Sequence, residues 1–156
     1  MLEIGQIPEQ TQGILDRNLT KLKEDAARNM QSNDQVVTGK TLNSLRVEAS
    51  GNIGTLYGAD HIDTLEVGIS PERSRQDSWT HVFAGLFRWV QNRGFIYDMS
   101  QSSAFAVKAT ENQREFGSRL FRQGGGKNVY SAEIDPMTEQ IKNELGDVFL
   151  NVKIVR

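Results

Sequence analysis

The first pattern along the chain is a stripe. Leu15, Leu19, Leu22, Ala26 and Met30 recur three or four positions apart, a spacing that places them on one face of a helix. Pro8 suits the first turn of that helix, where its missing N–H costs nothing. One long amphipathic helix is therefore predicted from Pro8 to about Gln31, ended by Asn33-Asp34. Gly13 lies inside it at a cost of about 1 kcal/mol, which the apolar stripe outweighs. A short helical turn is expected within Thr38 to Leu45.

From Leu45 the period changes to two. Leu45, Val47 and Ala49 alternate with Arg46, Glu48 and Ser50, as in a strand with one buried face. Gly51-Asn52-Ile53-Gly54 reads as a turn, Leu56 and Tyr57 open a second strand, and Leu65, Val67 and Ile69 read as a third. These make an antiparallel meander. The polar run from Ser70 to Trp79 is expected to be a mobile surface loop.

Three further helices follow. Phe83, Leu86, Phe87 and Val90 define one that stops near Gly94; Phe105, Ala109, Phe116 and Leu120 define the next, with Ser100 as N-cap and Gly124-Gly125-Gly126 as its end. The last is predicted to start at Asp135-Pro136 and to carry Met137, Ile141, Leu145 and Val148. The tail from Leu150 to Val155 alternates as a strand would, and a helical continuation is equally open. Helices and strands are not interleaved, which argues for one α+β domain over residues 1–156, an antiparallel meander packed by the N-terminal helix and the later helices. Mobile segments are expected near 70–79 and 123–131. No period of 20 to 50 residues repeats, against a solenoid.

At 156 residues the chain is long enough to bury roughly two-thirds of its unfolded surface without a cofactor. It has no cysteine, so a disulfide scaffold and a thiol nucleophile are excluded, and His61 and His81 are its only imidazoles. No apolar run approaches the roughly 20 residues of a membrane span. Met1-Leu2-Glu3-Ile4-Gly5 lacks the order of a signal peptide, so a cytoplasmic origin is expected and the sequon at Asn18 is discounted.

Eighteen basic residues against twenty acidic give a net charge of −2. The distribution is uneven: seven bases face three acids between Arg88 and Lys127, whereas Glu133 to Asp147 holds five acids and the single base Lys142. Such blocks are either solvated faces or complementary contact surfaces of an oligomer. Trp79, Phe87, Trp89 and Phe95 concentrate aromatic area beside Arg88 and Arg93, in a helix apolar around more of its circumference than one buried face requires. The candidate contact residues are Arg73, Arg75, Trp79, Trp89, Arg93, Arg119, Arg122 and Lys127, with Glu139 and Glu144 as acidic counterparts.

Candidate chemistry is sparse. Gly39-Lys40-Thr41 resembles the end of a P-loop, but Asp34 stands where that loop needs glycine, and a helix precedes it where a strand is required. Gly68-Ile69-Ser70-Pro71-Glu72 lacks the second glycine of a nucleophile elbow. Asp60-His61-Ile62-Asp63 groups three metal-ligand types that a strand or turn would not point one way. No catalytic, cofactor or metal residue is expected. Arg114, Arg119, Arg122 and Lys127, interleaved with Phe116 and Phe121, allow an alternative reading as a small nucleic-acid-binding protein.

Thr38-Gly39-Lys40-Thr41-Leu42-Asn43-Ser44-Leu45-Arg46-Val47 resembles the "Thr-Gly-basic-Leu-x-x-Ser-apolar" segment of the head-tail joining, neck and tail-completion proteins of siphovirus-like tailed bacteriophages, with an extra Thr before Leu42. Tyr57-Gly58 and then Leu65-Glu66-Val67-Gly68 are similar to that family's hairpin. Leu120 to Gly126, followed by Val129-Tyr130-Ser131, resembles a variant with a helical insert after the hairpin. The family's "Pro-x-Pro-Phe" approach to its last helix is replaced here by glycines and Asp135-Pro136. The resemblance implies a ring-forming virion subunit between portal and tail tube. It implies portal, neck or tail-tube neighbours, genomic DNA passing through the channel, and no catalytic residues.

Overall fold

The computed structural model of the protein describes residues 7–36, 38–94, 98–125 and 129–150. Its elements are α1 (Ile7–Ser32), α2 (Lys40–Ser44), β1 (Arg46–Ser50), β2 (Ile53–Tyr57), α3 (Ile62–Val67), α4 (Pro71–Gln76), α5 (Trp79–Arg93), α6 (Met99–Phe116), α7 (Arg119–Arg122) and α8 (Ser131–Leu150). The class is α+β, mostly helical, with one two-stranded antiparallel sheet. The chain divides into two compact units. One comprises Met1–Asn33, Lys40–Ala59 and Asn128–Arg156; the other is Asp34–Gly39 with Asp60–Lys127.

In the first unit four residues of the predicted stripe of α1, Leu19, Leu22, Ala26 and Met30, are buried; at its start Ile14 takes the buried place expected of Leu15, which is half-buried. The hairpin lies against this face. β1 and β2 pair Val47 with Leu56 and Ala49 with Gly54, leaving Arg46, Glu48 and Ser50 exposed. The turn is tighter than expected, with Gly51 at φ 58 supplying the left-handed conformation that a two-residue hairpin loop needs. Across the register pair Arg46–Tyr57, the guanidinium sits 4.4 Å from the ring centroid. α8 packs against α1. It starts at Ser131, earlier than predicted, so Pro136 is inside the helix and leaves the Ala132 carbonyl without its usual donor; Ala132 is exposed, where water can serve.

The second unit is helical, and here the meander ends after two strands. Leu65 to Val67 belongs to α3, with Glu66 buried and Val67 53% exposed, the reverse of the expected alternation. Gly68 ends this helix at φ 82 and donates its N–H to the Thr64 carbonyl. The stretch expected as a loop, 70–79, contains α4. Ser70 caps it by accepting from the Arg73 N–H, Pro71 occupies its first turn, and Ser74 is the residue it buries.

α5 and α6 form the body of this unit. α6 is capped by Asp98, not Ser100, with Oδ1 accepting from Gln101 N at 2.8 Å. It stops at Gly117, so the expected single helix to Gly124 is two, α6 and the short α7. Residues 150–156, whose strand or helix reading was open, lie outside the described residues apart from Leu150, the last residue of α8.

Candidate interface site

Small residues form the buried seam between α5 and α6. Val82 and Val90 from α5 are buried, as are Ser102, Ala106 and Thr110, which follow one another four apart on α6. Thr110 satisfies its hydroxyl by donating to the Ala106 carbonyl at 2.7 Å, so the seam carries no polar penalty there. The large rings go elsewhere. Trp79, Trp89, Phe105, Phe116 and Phe121 are each between 40% and 49% exposed.

Leu86, Trp89, Phe105 and Ala109 line one apolar cleft on this unit, and Lys108, Arg119 and Arg122 stand around it. α7 brings its two arginines there through a fixed corner. Ser118 Oγ accepts from Ile69 N at 2.9 Å and Phe121 N at 3.3 Å, while Ser118 N donates to Ile69 O at 2.8 Å. Neither Arg119 nor Arg122 makes an ion pair with another described residue, and Lys108 reaches only Glu111, at 3.9 Å. A cation-rimmed apolar recess of this kind suits a partner that is apolar in the middle and acidic at the edges.

Of the residues expected at an interface, Trp89, Arg119 and Arg122 meet at this cleft. Trp79 lies at the start of α5 and stacks on Phe83, ring centroids 5.1 Å apart, which stacks in turn on Phe87 at 5.8 Å. Arg73 and Arg75 are exposed on α4, where Arg75 Nε donates to the Pro71 carbonyl. Arg93 is taken up internally: its side chain is 15% exposed and its Nη1 is 2.7 Å from Asp34 Oδ1. Its guanidinium also lies 5.8 Å from the Trp89 ring, so it supports that ring from within the unit. Lys127 is outside the described residues.

The two acidic candidates differ. Glu139 is exposed on α8 and pairs with Lys142 at 2.7 Å. Glu144 is half-buried against α1, where Arg17 Nη2 donates to it at 2.5 Å. Gln140 donates to its other oxygen at 2.8 Å, and this bond, then those from Arg17 and Asn18, holds its carboxyl below the usual range. It is therefore a structural carboxylate of the first unit.

Arg114, central to the nucleic-acid alternative, donates Nη1 to the carbonyls of Ser74 at 3.0 Å and Asp77 at 2.7 Å, tying α4 to α6. Among the described residues no three His, Asp or Glu side chains are grouped to hold a metal, and no helix is long and apolar enough to cross a membrane. Lys108 and the exposure of Phe105 were not expected from sequence. The signal for them was the four-residue spacing of Ser102, Ala106 and Thr110, which turns Phe105 outward. No family model, curated protein or solved structure matches the chain.

Proposed function

We propose that this chain is a non-enzymatic virion subunit of a tailed bacteriophage. In this reading it forms a ring at the head-tail junction or tail end and joins portal or neck to tail during assembly. One observation carries the reading: the second unit buries valine, alanine, serine and threonine while both its tryptophans and three of its five described phenylalanines stay 40–49% exposed, two of these rings, Trp89 and Phe105, lining one cationic recess. A subunit that covers the recess with a neighbour recovers the burial that these half-covered rings lack in a single copy.

The motif order adds support. Thr38 to Val47 runs through α2 into β1, Tyr57 ends β2, and helices α3 to α7 stand between the hairpin and α8, as in the insert-bearing variant that the sequence resembles. Leu65-Glu66-Val67-Gly68 departs from that pattern because it is helical. In this reading the chain is made in the host cytoplasm, ends in the neck or tail of the virion, and meets DNA only as the genome passes through the channel. Mass spectrometry of purified virions tests it. Stoichiometric copies are expected, and absence from the particle refutes the proposal.

A further inference from the structure

The ring-forming reading leaves open which surfaces meet, and the charge and shape of the cleft narrow the choice. Leu86, Trp89, Phe105 and Ala109 give it an apolar part beside the half-buried Asn112 and Gln113, and the exposed Lys108, Arg119 and Arg122 stand around it. Two copies joined cleft to cleft would oppose three cations with three cations. A self-complementary dimer through this surface is therefore disfavoured, and the occupant has to be acidic.

The chain itself presents such an element. Between Glu133 and Asp147, α8 holds five acids and one base. Asp135 and Glu139 are exposed, four positions apart on one ridge, and the exposed 2.7 Å pair of Glu139 with Lys142 is weak enough for a partner's arginines to replace. Beside that ridge runs an apolar row with helical spacing, Ile134, Ile141 and Leu145, of which Ile134 is 38% exposed and the other two are half-buried. An amphipathic helix laid in a groove uses this combination, apolar anchors at i and i+7 with charges along the edge.

We infer that the α5–α6–α7 cleft of one copy receives helix α8 of the next. Ile134 and its row lie over Trp89 and Phe105, and Asp135 and Glu139 face Arg119, Arg122 and Lys108. The inference rests on the ring-forming reading and specifies its contact. Cleft and helix are different patches of the chain, so the contact is head to tail, the kind that forms a ring when the rotation between successive copies closes.

The absence of cysteine makes a direct test clean. Lys108→Cys and Arg122→Cys on the rim, and Asp135→Cys and Glu139→Cys on α8, give four pairings of single-cysteine proteins, so one unfavourable disulfide geometry does not decide the outcome. On mild oxidation, at least one rim–α8 mixture is expected to give a mixed disulfide about tenfold above either self-disulfide, and Trp89→Ala in the rim protein is expected to abolish the excess. Self-disulfides dominating in all four mixtures overturn the inference. So does an Arg119/Arg122-dependent complex with a single-stranded oligonucleotide in place of any mixed disulfide, which assigns the cleft to nucleic acid. Virion analysis separates the two levels: the chain present in particles without the mixed disulfide sinks the contact alone. A mixed disulfide from a chain absent from virions sinks only the phage assignment.

Discussion

Arg17 and Glu144 stand 127 residues apart in the chain, and their side chains meet at 2.5 Å where α8 crosses α1. Asn18, buried on the same turn of α1, donates to the Ile14 carbonyl at 2.9 Å and lies 3.4 Å from the same carboxylate. The cluster fixes the register of the two helices. Because Arg17 is 65% exposed, the ion pair contributes only about 0–1 kcal/mol. Gln140, Arg17 and Asn18 lower the folded-state pKa of Glu144, so its stabilisation is full above the ordinary carboxylate range and is lost as pH falls through the lowered value. Glu144→Gln is expected to lower stability by up to about 1 kcal/mol near neutrality and to match the parent in strong acid. Urea unfolding of both proteins across that pH span checks it, and a gap that persists in acid shows that the charge is not the cause.

The corner that positions α7 depends on a glycine. Gly68 has φ +82, and a Cβ there would lie 2.4 Å from Phe121 N and 2.6 Å from Ser118 Oγ. A side chain thus meets both backbone strain and a backbone clash that no rotamer relieves. Gly68→Ala is expected to cost about 2 kcal/mol or more, a fall in Tm of about 4–8 °C for a chain of this size. Ser118→Ala, which removes the acceptor for Ile69 N and Phe121 N, should cost about 1 kcal/mol. Calorimetry of the two variants gives the ranking, and an unaffected Gly68→Ala contradicts the corner as described.

Arg114 closes the C-terminal end of α4, taking the carbonyls of Ser74 and Asp77. Arg114→Ala leaves both without that donor, a loss of about 1–3 kcal/mol confined to one short helix. Amide exchange should accelerate across 70–79 and change little in α5. Uniform acceleration throughout the unit would mean that α4 is not a separately opening element.

What could be read from the sequence followed the strength of each hydrophobic pattern. α1 was legible because five apolar residues from Leu15 to Met30 keep one face over four turns, and α5 because its periodicity ends at Gly94, which caps it at φ 65. Leu65, Val67 and Ile69 misled because three alternate positions are too few to separate the two periods when the buried residue is Glu66. α4 was hidden because it buries a serine. The register of α6 was misassigned for the same reason: Ser102, Ala106 and Thr110 occupy the interior, and Phe105 and Phe116, which looked like core, face out. Composition identified Trp89, Arg119 and Arg122 as contact candidates. It could not show that Arg93 is committed to Asp34, 59 residues away, or Glu144 to Arg17.

Trp89 separates folding from association. Its ring is 40% exposed and meets the half-buried Arg93 guanidinium at 5.8 Å within its own unit, so its removal should lower monomer stability by about 1–3 kcal/mol, which urea unfolding of the variant measures apart from association. At the floor of an occupied cleft the same ring is an anchor, and truncating such a residue costs 2 kcal/mol or more, about thirtyfold in affinity. That loss is apolar and should hold at low and high salt alike. Arg119→Glu with Arg122→Glu acts through charge instead, so its effect should be large at low ionic strength and fade as the Debye length shortens to a few ångströms. Asp135→Lys with Glu139→Lys on the partner chain should restore part of it. Sedimentation equilibrium at two salt concentrations distinguishes the terms. If Trp89→Ala leaves association unchanged while the arginine reversals abolish it at every salt concentration, the floor of the cleft is not what the partner covers.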